Sequence, residues 1–380
     1  MKSTSLSAQE LRLLIGRTFP GQKGGVAILI DLPDEKLADH EGWRARRQMA
    51  AAWAQSLAED SNDDAVALVA YRNAGRNNGE LPETAAIVDP KAPPEHAAEL
   101  TELSCQPFEA LFQRFTVFIA PTELSATAPL KMAARKFGFR AATMPGFSPA
   151  MMPALRLDYA DIHRKVTALA ALLDRAQSAS IDLFAEGKLY HLQLDLRFRS
   201  AHASGGVFAE AGTAGNLPSG ESYIVPYEGE TEPSRSEGLL PVDLDGELVL
   251  YRIQGNRAVE VLSEGPISRR EREAITQEPA YANLAELGLG ILAEYGIKPV
   301  GEVLLDEKLG LHIAFGRSEH FGGTVGPAQF SSPSAAVHID RVYLPSLQPR
   351  VQVRHVFLEM DDGACVDIIR DDQFVVQYPG

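Results

Sequence analysis

GGVAILIDLP, residues 24–33, is an apolar run interrupted only by Asp31 and bounded by glycines and a proline, and its reading decides the fold. It is too short for an ordinary helix and apolar on both faces, so it predicts a buried strand. Strands covered on both faces are those of parallel sheets flanked by helices. The segments that follow fit this pattern. GWRARRQMAAAWAQSLAED (42–60) has the composition and length of a helix, and DDAVALVAYR (63–72) repeats the strand pattern. Strand, helix, strand in that order predicts an α/β unit with parallel strands. RFTVFIAPT (114–122) and FRAATMPGF (139–147) supply a third and fourth strand. Helix candidates occupy 8–16, 95–112 and 124–137; Pro129 is tolerated near the start of the last, and Gly138 could end it. Residues 73–94, rich in Asn, Gly and Pro, read as a loop. No GxGxxG follows the first strand. Gly24 and Gly25 lead into it, so they make a turn and not a dinucleotide cradle.

DYADIHRKVTALAALLDRAQSA (158–179) is a strongly amphipathic helix, and the texture changes after it. SIDLFAEGKLYHLQLDLRFRSA alternates apolar and polar residues, as antiparallel strands do. ASGGVFAEAGTAGNLPSG (203–220) is glycine-rich, YEGETEPSRSEG (227–238) reads as an exposed loop, and Tyr281 to Glu294 has helix-like spacing. The remainder alternates again. The expectation is an α/β N-terminal domain with a parallel sheet over 1–178, then a mostly β, α+β domain of catalytic type over 179–380. A length of 380 residues agrees with about two domains.

Lys and Arg number 36 against 51 Asp and Glu, a formal charge of -15, which repels phosphate backbones and argues against nucleic acid as a partner. The two cysteines, Cys105 and Cys365, form no CxxC pair, so a disulfide framework or a thiolate zinc knuckle is not expected; each reads as a small core residue. MKSTSLSAQELRLL has no apolar signal core, and no apolar run approaches the roughly 20 residues needed to span a bilayer. The expected compartment is the cytoplasm, with no membrane partner.

Chemistry concentrates in the C-terminal half. His338 and Asp340 occupy alternate positions, which in a strand share one face. Imidazole and carboxylate together suit a divalent ion such as zinc, cobalt or manganese, with iron also possible. A surface turn before VYLP is the plainer reading of the same three residues. His312 sits in GLHIAFG, and the glycine-rich GRSEHFGGTVG leads from it toward His338. Glu221 in NLPSGES and Glu286 in ELGLG each lie beside glycine, where tight loops and close backbone approach are possible. Two glutamates, two imidazoles and one aspartate form a plausible ligand count for a two-metal hydrolytic site. Glu302, Asp306 and Glu307 read as solvated loop charges, and His163, His191, His202 and His355 as structural or surface groups.

NLPSGESYIVP, LAELGLG, GEVLLDEKLGLHIAFG and HID, in that order over roughly 210–345, resemble the aminopeptidase T family of metallopeptidases. The resemblance implies a two-metal exopeptidase, commonly a homodimer, acting on short peptides or amino-acid-like substrates. By motif match it places the metal ligands on Glu221, Glu286, His312, His338 and Asp340, with Glu286 also matching the proposed catalytic carboxylate. The family's tyrosine, seven residues after the histidine matching His312, is replaced by Glu319. An ionised carboxylate cannot donate a hydrogen bond to an oxyanion as a phenol does. His320, next in the chain, could donate or act as a further ligand, and Glu319 could pair with a substrate amine. A looser similarity to ring-cleaving dihydroxypyridine dioxygenases implies instead one iron on His312, His338 and Asp340. A third possibility is a catalytically altered homologue serving in peptide binding or biosynthesis.

Overall fold

The computed structural model describes residues 5–59 and 66–378. The chain forms two compact units: residues 1–162 with 206–219, and residues 163–205 with 220–380. Expected position 178 falls inside a strand of the second unit, and the segment 206–219 returns to the first.

The first unit contains β1 (Gly25–Leu32), β2 (Val66–Arg72), β3 (Thr84–Val88), β4 (Cys105–Pro107), β5 (Phe115–Ala120) and β6 (Arg140–Thr143). After β7 (Ala176–Ala185), β8 (Lys188–Asp195) and β9 (His202–Ser204) of the second unit, the chain comes back with β10 (Ala214–Asn216). The first sheet runs β10-β6-β5-β1-β2-β3-β4; all pairs up to β2 are parallel, and β3 and β4 are antiparallel. Residues 26–32 of β1 are buried, as an apolar run between helical layers must be. Ala27 and Leu29 join a core with Leu111, Phe112, Phe118, Leu130 and Phe139. The helix Thr127–Phe137 ends at Gly138, whose φ of 79° is the left-handed cap a glycine adopts without strain.

Several expectations need correction. The supposed loop 73–94 contains β3. Only a 3-10 turn, Ala97–Glu102, and a short helix, Phe108–Arg114, form within the helix candidate at 95–112, because β4 interrupts it. The strand expected over 63–72 begins its described part at Val66; residues 63–65 lie outside the described residues. Both cysteines are exposed, not core.

The second unit adds β11 (Glu221–Ile224), β12 (Glu237–Leu244), β13 (Glu247–Gln254), β14 (Arg257–Val261), β15 (Leu284–Gly290), β16 (Leu311–Gly316), β17 (His338–Val342), β18 (Val351–Met360), β19 (Cys365–Arg370) and β20 (Gln373–Phe374). They build an eight-stranded sheet, β14-β13-β12-β8-β7-β18-β19-β20, and a five-stranded one, β17-β16-β15-β11-β9. Every pairing in both is antiparallel. The architecture is mixed α/β, with the more β-rich part toward the C-terminus. The helix-like spacing of Tyr281–Glu294 is overturned: the segment is strand β15, buried at every position, between 3-10 turns at Pro279–Ala282 and Leu292–Tyr295. A wholly buried strand has no polar face, so its apolar spacing cannot be told from a helix by period alone. The loop 227–238 is also less exposed than expected. Glu228 accepts hydrogen bonds from Asn283 Nδ2 at 2.8 Å and from the Thr324 main chain at 2.6 Å, and Tyr227 and Ser236 are buried.

Candidate metal centre

The five-stranded sheet places the candidate residues by register. Glu221 lies opposite Gly290, Tyr223 opposite Gly288, and Gly288 opposite His312. Glu286 lies opposite Ala314, Ala314 opposite Asp340, and Gly316 opposite His338. Cross-strand partners share a face, as do alternate residues along a strand. One face therefore carries Glu221, Tyr223, Glu286, His312, His338 and Asp340, with only Gly288, Gly290, Ala314 and Gly316 between them. The other carries Leu287, Leu289, Ile313 and Phe315, all buried. Small residues hollow out the first face. A Cβ at Gly288 would run into the His312 imidazole, and one at Gly290 into the main chain of Glu307 and Lys308.

All five residues expected as ligands come together. Glu221, Glu286 and His312 form one group and Glu286, His338 and Asp340 a second, each with ligand atoms within 4.8 Å of one another. Glu286 belongs to both. Its Oε1 is 3.2 Å from His312 Nε2 and its Oε2 3.3 Å from His338 Nε2. His338 Nε2 is also 3.5 Å from Asp340 Oδ1, and His312 Nε2 3.6 Å from Glu221 Oε2. Each imidazole turns its other nitrogen to a main-chain carbonyl: His338 Nδ1 to Arg317 at 2.7 Å, His312 Nδ1 to Gly310 at 3.4 Å. A proton held at Nδ1 leaves Nε2 as the free donor atom, the arrangement usual for metal-binding histidine. The first group is buried and the second half-buried, so the His338 and Asp340 side is the more open.

Glu307 and Lys308 were not expected here. Glu307 read as a solvated charge, yet its side chain is only 15% exposed, and Lys308 is buried. The Lys308 ammonium donates to Glu221 Oε1 at 2.5 Å and to Glu307 Oε1. Asp306 is likewise not solvated: it is buried and accepts from the Val300 and Gly301 amides at 2.9 Å each. Glu302 is exposed, as expected. The missed signal was LLDEKLGL, where charges sit inside an apolar run that leaves no solvated face.

Four buried or nearly buried carboxylates, Glu221, Glu286, Glu307 and Asp340, thus lie in one cluster, and the one ammonium, Lys308, pairs with Glu221 and Glu307. Burial raises the Glu286 carboxyl, but the two imidazoles outweigh it and hold it below the usual carboxylate range. Burial lowers His312, while Glu286, Glu221 and Asp340 raise it to a net value of about 9. Uncompensated buried charge is costly. Glu221 Oε2 is buried without a hydrogen-bond partner among the described residues. An orphaned carboxylate oxygen, the room that Gly288 leaves for the His312 imidazole and a carboxylate–imidazole donor set all fit a divalent metal.

Glu319 and His320 lie outside both groups. Glu319 accepts from Arg317 Nε at 2.6 Å and stands 3.5 Å from His320 Nδ1. His320 packs its ring 5.3 Å from that of His338; burial and then the His338 charge push it down to about 4. An aromatic wall rims the same side. Tyr223 stacks on His202 with ring centres 5.1 Å apart and meets Phe321 edge-on at 4.8 Å, and Phe321 in turn meets His338 at 5.4 Å. Burial, then the charges of Glu286 and Glu221, raise the Tyr223 phenol. His202, expected as a simple surface group, is part of this wall.

No family model matches the chain, and no curated protein matches it. Solved structures do. The fold is similar to that of 2,5-dihydroxypyridine dioxygenase from Pseudomonas putida KT2440, at a TM-score of 0.62 and 15% identity over 99% of both chains. It is also similar to wild-type AmpT from Thermus thermophilus, at a TM-score of 0.54 and 16% identity over 97% of this chain and 98% of that one. At such identities the likeness concerns the fold and leaves the chemistry to the site. Among the described residues, no helix is long and apolar enough to cross a membrane.

Proposed function

We propose that this chain is a metal-dependent aminopeptidase that removes the N-terminal residue of short peptides at a two-metal centre. The observation that carries the reading is Glu286, whose two carboxylate oxygens serve two ligand groups at once. Glu221 and His312 would complete one site, His338 and Asp340 the other. Divalent ions bound there would acidify a water and polarise the scissile carbonyl. The protein's own part is to hold the ligands rigid and present the substrate from the open side. Gly288 leaves room for the His312 imidazole, and the carbonyls of Gly310 and Arg317 fix the imidazole tautomers. Glu286, held ionised, suits a bridging ligand. A homodimer and a cytoplasmic location belong to the same reading.

One observation favours a second reading, a mononuclear iron enzyme that cleaves an aromatic ring. Lys308 already balances Glu221 and Glu307, so a single ion on Glu286, His338 and Asp340, the more open ligand group, is the alternative to a pair. Metal analysis of gently purified protein, paired with leucine and arginine amide substrates, separates the two. Two equivalents of zinc, manganese or cobalt with metal-dependent amide turnover supports the aminopeptidase. One iron with oxygen uptake on a dihydroxylated ring supports the second. Protein that takes up no divalent metal would sink both.

A further inference from the structure

The phenol that the sequence lacks at position 319 has a counterpart elsewhere on the sheet. Tyr223 stands on the ligand face of β11, two residues along from Glu221 and directly across from Gly288. Gly288 has no side chain, so nothing of β15 stands between the Tyr223 ring and His312, the next residue in the row. The ring is clamped between His202 and Phe321, which fixes its position. The register sets the ring in the row of β11, β15 and β16 that ends in His312, two residues along from the row of Glu221. Its hydroxyl takes no hydrogen bond among the described residues and is not sealed from solvent. A half-buried phenol that opens to solvent is free to donate to a ligand, whereas fully buried ones find a protein partner. Tyr281 and Tyr251 of the same unit both do, on Glu271 at 2.7 and 2.8 Å.

We infer that Tyr223 is a catalytic residue whose hydroxyl donates a hydrogen bond to the carbonyl oxygen of the scissile amide as negative charge develops there. The inference rests on the hydrolytic reading above. In that reaction the water oxygen bonds to the carbonyl carbon, the carbon–nitrogen bond breaks, and a water proton passes to the leaving amine through a carboxylate. Tyr223 keeps its proton throughout and stabilises the oxygen between those events. Glu319 cannot do this: it is ionised, it would repel the charge, and it is tied to Arg317.

The test is Tyr223→Phe, which keeps the ring packing and removes only the donor. Loss of one oxyanion donor typically costs about 10²–10³ in kcat. The expected result is a fall of that order with KM within a few-fold and the metal content unchanged. The second readout is binding, by calorimetry on metal-loaded protein, of an aminophosphinic dipeptide that mimics the tetrahedral intermediate. Its affinity should fall in the variant by a similar factor, while that of the product amino acid stays constant. Equal kcat and equal affinity for the mimic in both proteins overturns the inference. A wild-type protein that turns over no amide but binds the mimic in a Tyr223-dependent way sinks the aminopeptidase reading and the catalytic role in amide hydrolysis with it, and leaves only the hydrogen bond from Tyr223 to a tetrahedral oxyanion. Absence of any affinity for the mimic overturns the role of Tyr223 as well.

Discussion

β1 and β15 are both buried strands, and each carries one buried carboxylate, Asp31 and Glu286. Their surroundings differ in one respect. Asp31 accepts the main-chain amides of Glu123 at 2.8 Å and Leu124 at 2.9 Å, and the Trp43 indole at 3.0 Å. Glu286 faces two imidazoles and further carboxylates. Amide and indole donors cannot leave or titrate, so Asp31 pins a loop and a helix to its strand. Imidazoles can exchange a proton for a metal ion, so Glu286 is equipped to bind. The difference lies in what satisfies a buried charge, since burial itself is alike.

The largest expected effect belongs to Glu286→Gln. Both ligand groups lose their shared carboxylate, so metal content should fall toward zero by elemental analysis and amide turnover by at least about 10³-fold. Retention of both ions would break the contrast with Asp31. Next comes Lys308→Met, which strands Glu221 and Glu307 without their buried cation. Removing one partner of such a pair costs roughly 3–5 kcal/mol. Urea unfolding of the metal-free variant should show that loss, and added divalent metal should recover more stability in the variant than in the wild type. Asp31→Asn is expected to cost about 1–3 kcal/mol, because an amide NH2 would face the Leu124 N–H, yet to leave metal content untouched. A variant with depleted metal would show that Asp31 is not purely structural.

The smallest effect is one of pH. Burial raises Asp31 to about 6, against the pull of the Leu124, Glu123 and Trp43 donors. A carboxyl with a folded pKa above its unfolded value binds its proton more tightly when folded. Its contribution is present below about pH 4 and is lost as pH rises toward 6, with a slope of at most about 1.4 kcal/mol per pH unit. Stability of the wild type minus that of Asp31→Asn, followed over pH 4–6, should decline accordingly. A flat difference would mean that the three donors cancel the cost of burial.

Much of the first sheet was legible because its signal is local. An apolar run such as 24–33 bounded by turn residues, followed by a helix-length segment, carries its own partner pattern. β3 was not legible, since its five residues sit inside a segment rich in Asn, Gly and Pro and make too short an apolar run to stand out. In the second unit, local alternation put His338 and Asp340 on one face of a strand, and β17 has that face. The spacing of β15 misled, because Leu284, Leu287 and Ile291 suit a helix as well as a buried strand. Glu307 and Lys308 escaped notice because a charge beside a glycine ordinarily lies in water; here Gly290 lets their main chain settle against β15.

The residue types at the centre, carboxylate and imidazole in alternate positions with glycine beside them, were determined by the sequence, since ligand chemistry and strand period are properties of the chain alone. The tertiary structure decided which of those residues meet. Antiparallel register aligns Tyr223, Gly288 and His312 from three strands, makes Glu286 common to both ligand groups, and brings Lys308 onto Glu221. Register is set by pairing between segments tens of residues apart, and no periodicity within a single strand encodes it.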